Sequence, residues 1–133
     1  MKMANAPDPG VDVYEFVLEN IDSVPHLEAL ILLWNSRPVW WTCEEMASRL
    51  YVPLERVREL LRDLKRMQLI GESETLPAKY SYLAQSEEQD DLVRSLDAAY
   101  RKDLVRISTL IHSKTSAGVR EFARAFRLRQ EKK

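Results

Sequence analysis

Glycine is scarce, with three in 133 residues. Turn-rich β folds need glycine often, so the scarcity favours helices. Apolar runs are short. The longest, Ala29 to Trp34, falls well below the ~20 residues of a membrane span and suits one face of a core helix. Cysteine occurs once, at Cys43, which excludes an internal disulfide. With only His26 and His112 beside it, Cys43 makes a poor ligand set for zinc, and neither metal nor cofactor is expected. The opening "MKMANAPDPG" has no apolar stretch of signal-peptide length. A cytoplasmic protein in a reducing compartment is the expectation. No nucleophile motif, phosphate-cradling glycine loop or metal-ligand spacing occurs. Asp90 and Asp91 are adjacent, so on a helix they point different ways. No catalytic residue is expected.

What is present suits one domain with an appended element. The chain is 45% hydrophobic and 31% charged, enough apolar residue for a core and too much for a disordered chain. The formal net charge is −1, but it is unevenly placed. Residues 4–36 carry six acids (Asp8, Asp12, Glu15, Glu19, Asp22, Glu28) and no Lys or Arg. Residues 114–133 carry seven bases against Glu121 and Glu131. A sequence pI near 6.1 argues against a protein coated in positive charge, while leaving a basic end.

Residues 1–10 read as a flexible tail, with Pro7, Pro9 and Gly10 as breakers. Val13, Phe16, Val17 and Ile21 then give a short amphipathic helix. Ser23 is a suitable N-cap for the next helix, with Pro25 in its first turn. Leu27, Leu30, Ile31 and Trp34 recur along that helix at helical spacing, and it ends before Pro38. "VWW" (Val39–Trp41) is rich in strand formers. Trp40 and Trp41 could form an aromatic ligand pocket, or one packs in the core and the other at an edge. Thr42 and Glu45 have the spacing of a capping box. Met46, Ala47 and Leu50 follow on one face, then the turn "YV". Pro53 fits the first position of a further helix to about Gln68, with Leu54, Val57, Leu60, Leu61, Leu64 and Met67 inward.

"LIGESETLPAKYSYLA" reads as a small hairpin. Ser86 and Gln89 have capping-box spacing before a long helix reaching Ile111 or His112. Ser116 is placed to cap a last helix ending near Arg129.

From Cys43 to Leu60 the residues resemble the bacterial helix-turn-helix pattern. Ala47 is the small residue where two helices cross, and Met46, Leu50, Val52, Val57 and Leu60 fall at its apolar positions. Where that pattern often has Gly at the first turn position, this chain has Tyr51. With the hairpin after it, the order resembles a winged helix-turn-helix domain over about residues 23–84. No Asp/Arg-rich wing signature like that of the MarR family is present. The fold class expected is mainly α: a three-helix core plus a small β-hairpin wing, with two C-terminal helices. In domains, this is a tail over 1–10, a winged helix-turn-helix domain over 11–85 and a helical extension over 86–133.

The resemblance implies a transcriptional regulator whose second helix enters the major groove and whose wing touches the adjacent backbone. The same fold also serves as a protein-interaction module that leaves DNA alone, so fold does not settle function. With Val57, Leu60, Leu61 and Leu64 inward, the outermost side chains are Glu55, Glu59, Arg62 and Arg66. In one reading Arg56, Arg58, Arg62, Lys65 and Arg66 contact phosphates or guanine edges, with Lys79 on the wing. In the other the helix is a solvated surface laced by its own ion pairs, and Glu55 and Glu59 repel phosphate.

In the long helix, Leu92, Val93, Leu96, Ala99, Tyr100, Leu104, Ile107, Leu110 and Ile111 form a wide stripe interrupted by Asp97 and Asp103. It must pack along the core or against a second copy, and a homodimer through residues 86–112 is expected. In "SAGVREFARAFRLRQEKK", Arg120, Arg124 and Arg127 share one face. Such a row can line a phosphate backbone, meet an acidic protein partner or lie on an anionic membrane surface. Cys43, in a helix N-terminal turn, could be a low-pKa redox sensor or a small packed residue.

Overall fold

A computed structural model describes residues 9–83 and 85–113. Their order is α1 (Pro9–Asn20), α2 (Val24–Asn35), β1 (Trp41–Thr42), α3 (Cys43–Leu50), α4 (Leu54–Arg66), β2 (Ile70–Glu72), β3 (Lys79–Tyr82), α5 (Glu87–Lys102) and α6 (Leu104–Ser113). They are mainly helical, with a small antiparallel sheet of order β1-β3-β2. This succession is compatible with a winged-helix-like arrangement. The described residues gather into two compact units, one spanning Pro25–Arg94 and the other formed by the described residues before and after it.

In the Pro25–Arg94 unit, α2 buries Leu27, Ala29, Leu30, Ile31, Leu33 and Trp34. Its end is fixed by side chains: the Trp41 indole N–H donates to Ser36 Oγ at 2.9 Å, and Ser36 Oγ donates to the Leu32 carbonyl at 2.7 Å. That bond draws the start of the sheet to the end of α2. Trp41 is thus half-buried and Trp40 exposed, while Trp34 is the tryptophan of the core. Tyr82 meets Trp34 edge-on, with centroids 5.0 Å apart, and the Arg37 guanidinium lies 3.5 Å from the Trp34 ring centroid.

The Thr42–Glu45 capping box forms in full. Thr42 Oγ1 accepts from the Glu45 amide at 3.1 Å, and Glu45 Oε1 accepts from the Thr42 amide at 2.9 Å. Two otherwise orphan donors at the start of α3 are thereby satisfied. α3 closes at Tyr51, which takes left-handed backbone (φ 58, ψ 45) and donates its N–H to the Ala47 carbonyl. The Val52 amide also reaches that carbonyl, at 3.1 Å. Pro53 stands just before α4, one place earlier than expected, and its carbonyl accepts from Val57 at 3.0 Å. α4 ends at Arg66 rather than Gln68, because Gln68 turns left-handed (φ 62) and donates to the Lys65 carbonyl.

The hairpin pairs Ile70 with Tyr82, Gly71 with Ser81 and Glu72 with Tyr80, and β1 adds Trp41 opposite Tyr80. α3 packs on α4, and α4 packs on β2. Only half of the second capping box forms. Ser86 Oγ accepts from the Gln89 amide at 3.1 Å, but the Gln89 side chain turns to the Tyr82 hydroxyl and the Leu83 carbonyl. Tertiary partners outcompete the local one.

In the other unit, α1 packs along α6. α1 begins at Pro9, so Pro9 and Gly10 open the helix instead of belonging to a tail. A proline suits the first turn, where its missing N–H has no intrahelical partner. Val13, Val17 and Ile21 are buried on α1, and Ile107 and Ile111 on α6. The single long helix expected here is two. Asp103 lies between α5 and α6, at the cap position that aspartate favours. Its carboxylate accepts from the Tyr14 hydroxyl at 3.1 Å and from Arg106 Nη1 at 3.5 Å. The Arg106 guanidinium also lies 5.3 Å from the Tyr14 ring centroid, so three side chains latch α1 to α6. The expected last helix, with Arg120, Arg124 and Arg127, lies outside the described residues.

Candidate nucleic-acid interface

α4 is two-sided because its apolar residues recur every three or four positions. Val57, Leu60, Leu61 and Leu64 are buried, which leaves Glu55, Arg58, Glu59, Arg62, Lys65 and Arg66 exposed. Arg56 is half-buried on the flank.

The cations on this helix differ in how they are held. Arg56 Nη1 lies 2.9 Å from Glu59 Oε1, and Arg66 Nη2 lies 2.9 Å from Asp63 Oδ1. Lys65 pairs with Glu72 of β2, which also accepts from the Tyr80 hydroxyl at 3.3 Å. The Lys65 hydrogen bond holds the Glu72 carboxyl below its usual pKa, against an opposing push from burial. The first wing acid is therefore neutralised by α4. Among the described residues Arg58 and Arg62 form no ion pair, and neither do Arg49 on α3 and Lys79 on β3. Exposed pairs such as Arg56–Glu59 contribute little to stability and exchange partners readily. Among the described residues Arg58 and Arg62 have no carboxylate partner to exchange.

Arg58, Arg62, Lys65 and Arg66 thus share the exposed face of α4. Lys79 stands on the hairpin and lines an open hollow of about 520 Å³ with Trp40, Ser73, Thr75, Leu76 and Pro77. The hydroxyls of Ser73 and Thr75 are engaged within the hairpin loop, 2.7 Å from each other.

Cys43 is half-buried behind this face. Burial pushes its thiol pKa up, with the nearby Arg58 charge opposing, which is the reverse of what a reactive sensor thiol needs. Tyr80, between Cys43 and Glu72, is pushed up to about 12 by burial and by those two groups. It stays a neutral hydrogen-bond donor.

Two features escaped the sequence reading. His26, treated only as a poor zinc ligand, is buried on α2 and meets Asp63 of α4 at 2.8 Å. Tyr51, noticed only as a departure from a glycine, is 92% exposed. The glycine-to-tyrosine change at a turn was the available signal for the second. For the first there was none, because the pair is 37 residues apart. Comparison with protein-family models, with curated proteins and with solved structures finds no match.

Proposed function

We propose that this chain is a winged helix-turn-helix, non-catalytic regulator of transcription that binds duplex DNA. α4 lies in the major groove, the β2–β3 hairpin is the wing, and residues 86–112 join two copies. Arg58 and Arg62 carry the reading. They are exposed on the outer face of the second helix of an α3–turn–α4 pair and uncommitted to any carboxylate among the described residues. Phosphates and guanine edges are what such uncommitted guanidinium groups bind. Lys65 and Arg66 stand beside them in surface pairs that a phosphate can displace, and Arg120, Arg124 and Arg127 add basic charge at the chain's end.

Anisotropy titration of a labelled random-sequence duplex at two salt concentrations tests this. Binding should weaken steeply with salt as counterions are released. Arg58→Ala with Arg62→Ala should lower the salt slope by about one per residue while the fold is kept. An unchanged slope and affinity would remove α4 from the groove.

A second reading, a winged-helix module that docks a protein, is favoured by different residues. Glu55 and Glu59 are exposed at the start of α4, where they repel phosphate, and Trp40 and Leu76 flank an open hollow. A folded protein that does not bind duplex even at low salt would overturn the first reading, and capture of a defined protein partner would then be needed to support the second.

A further inference from the structure

Tyr51, like Gln68 at the end of α4, pairs a left-handed backbone with an exposed side chain, and of the two it alone is aromatic. Its backbone is left-handed, at φ 58 and ψ 45, a conformation that strains any residue with a Cβ and is usually left to glycine at a helix end. Its side chain is 92% exposed, so no packing within the described residues offsets the strain. The backbone of Tyr51 caps α3, which glycine would do without strain, so the exposed ring adds no packing to the fold. Strain of this kind concentrates where a partner is contacted, and stability is commonly traded for function there.

Its surroundings point to the partner. Tyr51 follows the exposed Arg49 by two residues and precedes α4, whose exposed face carries Arg58 and Arg62 together with Glu55 and Glu59; the two arginines are the groups there that can attract an anion. In a helix-turn-helix reader the second helix enters the groove while the first crosses the backbone. The turn between them therefore lies over the phosphates at the groove's rim. A phenol suits that position, since its hydroxyl donates to a phosphate oxygen while its ring covers the adjacent sugar.

We propose that Tyr51 contacts the phosphate backbone of duplex DNA and that its left-handed strain is retained for this contact. The inference rests on the DNA-binding reading above. Tyr51→Gly and Tyr51→Phe in the full chain test it, by anisotropy with the same random duplex at two salt concentrations and by thermal unfolding.

Tyr51→Gly should unfold at the same or a higher temperature and bind about tenfold or more weakly. The salt slope should not change, because a neutral hydroxyl releases no counterion. Tyr51→Phe should keep the stability and lose most of the same affinity. Wild-type affinity in either variant overturns the hydroxyl contact. A weaker Tyr51→Gly complex with a lowered unfolding temperature also overturns it, since Tyr51 would then be structural. If the wild-type chain does not bind DNA, the DNA reading itself fails and this inference falls with it. Salt-dependent binding that is indifferent to Tyr51 defeats the inference alone.

Discussion

At Asp63 one carboxylate serves two nitrogen donors. His26 Nε2 lies 2.8 Å from Oδ2, and Arg66 Nη2 lies 2.9 Å from Oδ1. An ionised carboxylate only accepts, so the imidazole nitrogen donates. Burial pushes the Asp63 carboxyl up, but the hydrogen bond and charge of His26, together with Arg66, outweigh it and hold the pKa below the usual 3.8. A carboxyl with a lowered folded-state pKa binds protons better when unfolded. Its contribution is therefore fully present above 3.8 and fades as pH falls through the folded value. Asp63→Asn removes that contribution while keeping the side chain's size. Urea unfolding should show a deficit of about 1–2 kcal/mol near neutral pH, since one hydrogen bond to a charged group is lost. The deficit should shrink in acid. A gap that stays constant with pH would show that shape, and not charge, is what Asp63 supplies. Arg66 matters here as well, because its tie to Asp63 makes it a less ready phosphate ligand than Arg58 or Arg62.

Elements were more legible in the sequence than their contacts. The Thr42–Glu45 box forms as its spacing predicts because all of its chemistry lies within four residues. Thr42→Ala should cost about 1 kcal/mol, since it returns the Glu45 amide to an unsatisfied state. For a small domain that lowers the unfolding midpoint by about 4–8 °C, which calorimetry resolves. A midpoint unchanged within a degree or so would mean that water replaces the cap fully. The inward stripe of α4 was equally legible: Val57, Leu60, Leu61 and Leu64 repeat with the helix and all four are buried. Two misreadings share one cause. Gln89 was expected to reach back to its own helix start, and it reaches Tyr82 and Leu83 instead. The helix expected to run unbroken to Ile111 or His112 divides at Asp103, whose carboxylate accepts from Tyr14, 89 residues away. In both cases a hydroxyl or carbonyl outside the local motif competed with it, six and seven residues away for Gln89 and 89 for Asp103, and helix-start spacing carries no record of such partners. The candidate interface divides the same way. The exposed face of α4 followed from periodicity, whereas the commitment of Lys65 to Glu72 depends on β2 lying against α4.

At the scale of the whole molecule, α1 groups with α6, although the sequence places it beside α2. The acidic first helix covers part of the stripe that otherwise demands a partner, burying Val13 and Val17 while Ile107 and Ile111 are buried on α6. The coverage is incomplete among the described residues: Val105 is 78% exposed and Leu104 46%. Exposed apolar side chains in the first turn of α6 are available to a seam between two copies. On the proposed reading α5 and α6 join two copies, and each copy presents one α4 to a half-site. The two helices would then read successive major grooves, about 34–36 Å apart. Val105→Lys places a charge in that seam without touching α4. Sedimentation equilibrium should show the wild-type chain as a dimer and the variant shifted toward monomer by about tenfold or more in Kd. Affinity for a single half-site should be unchanged in the variant, while affinity for a palindromic site should fall, because one duplex no longer engages two linked α4 helices. A wild-type chain that sediments as a monomer, with or without duplex, would remove the seam. It would leave α4 as a single-site reader and the Leu104–Val105 surface as a feature of α6 unconnected to DNA.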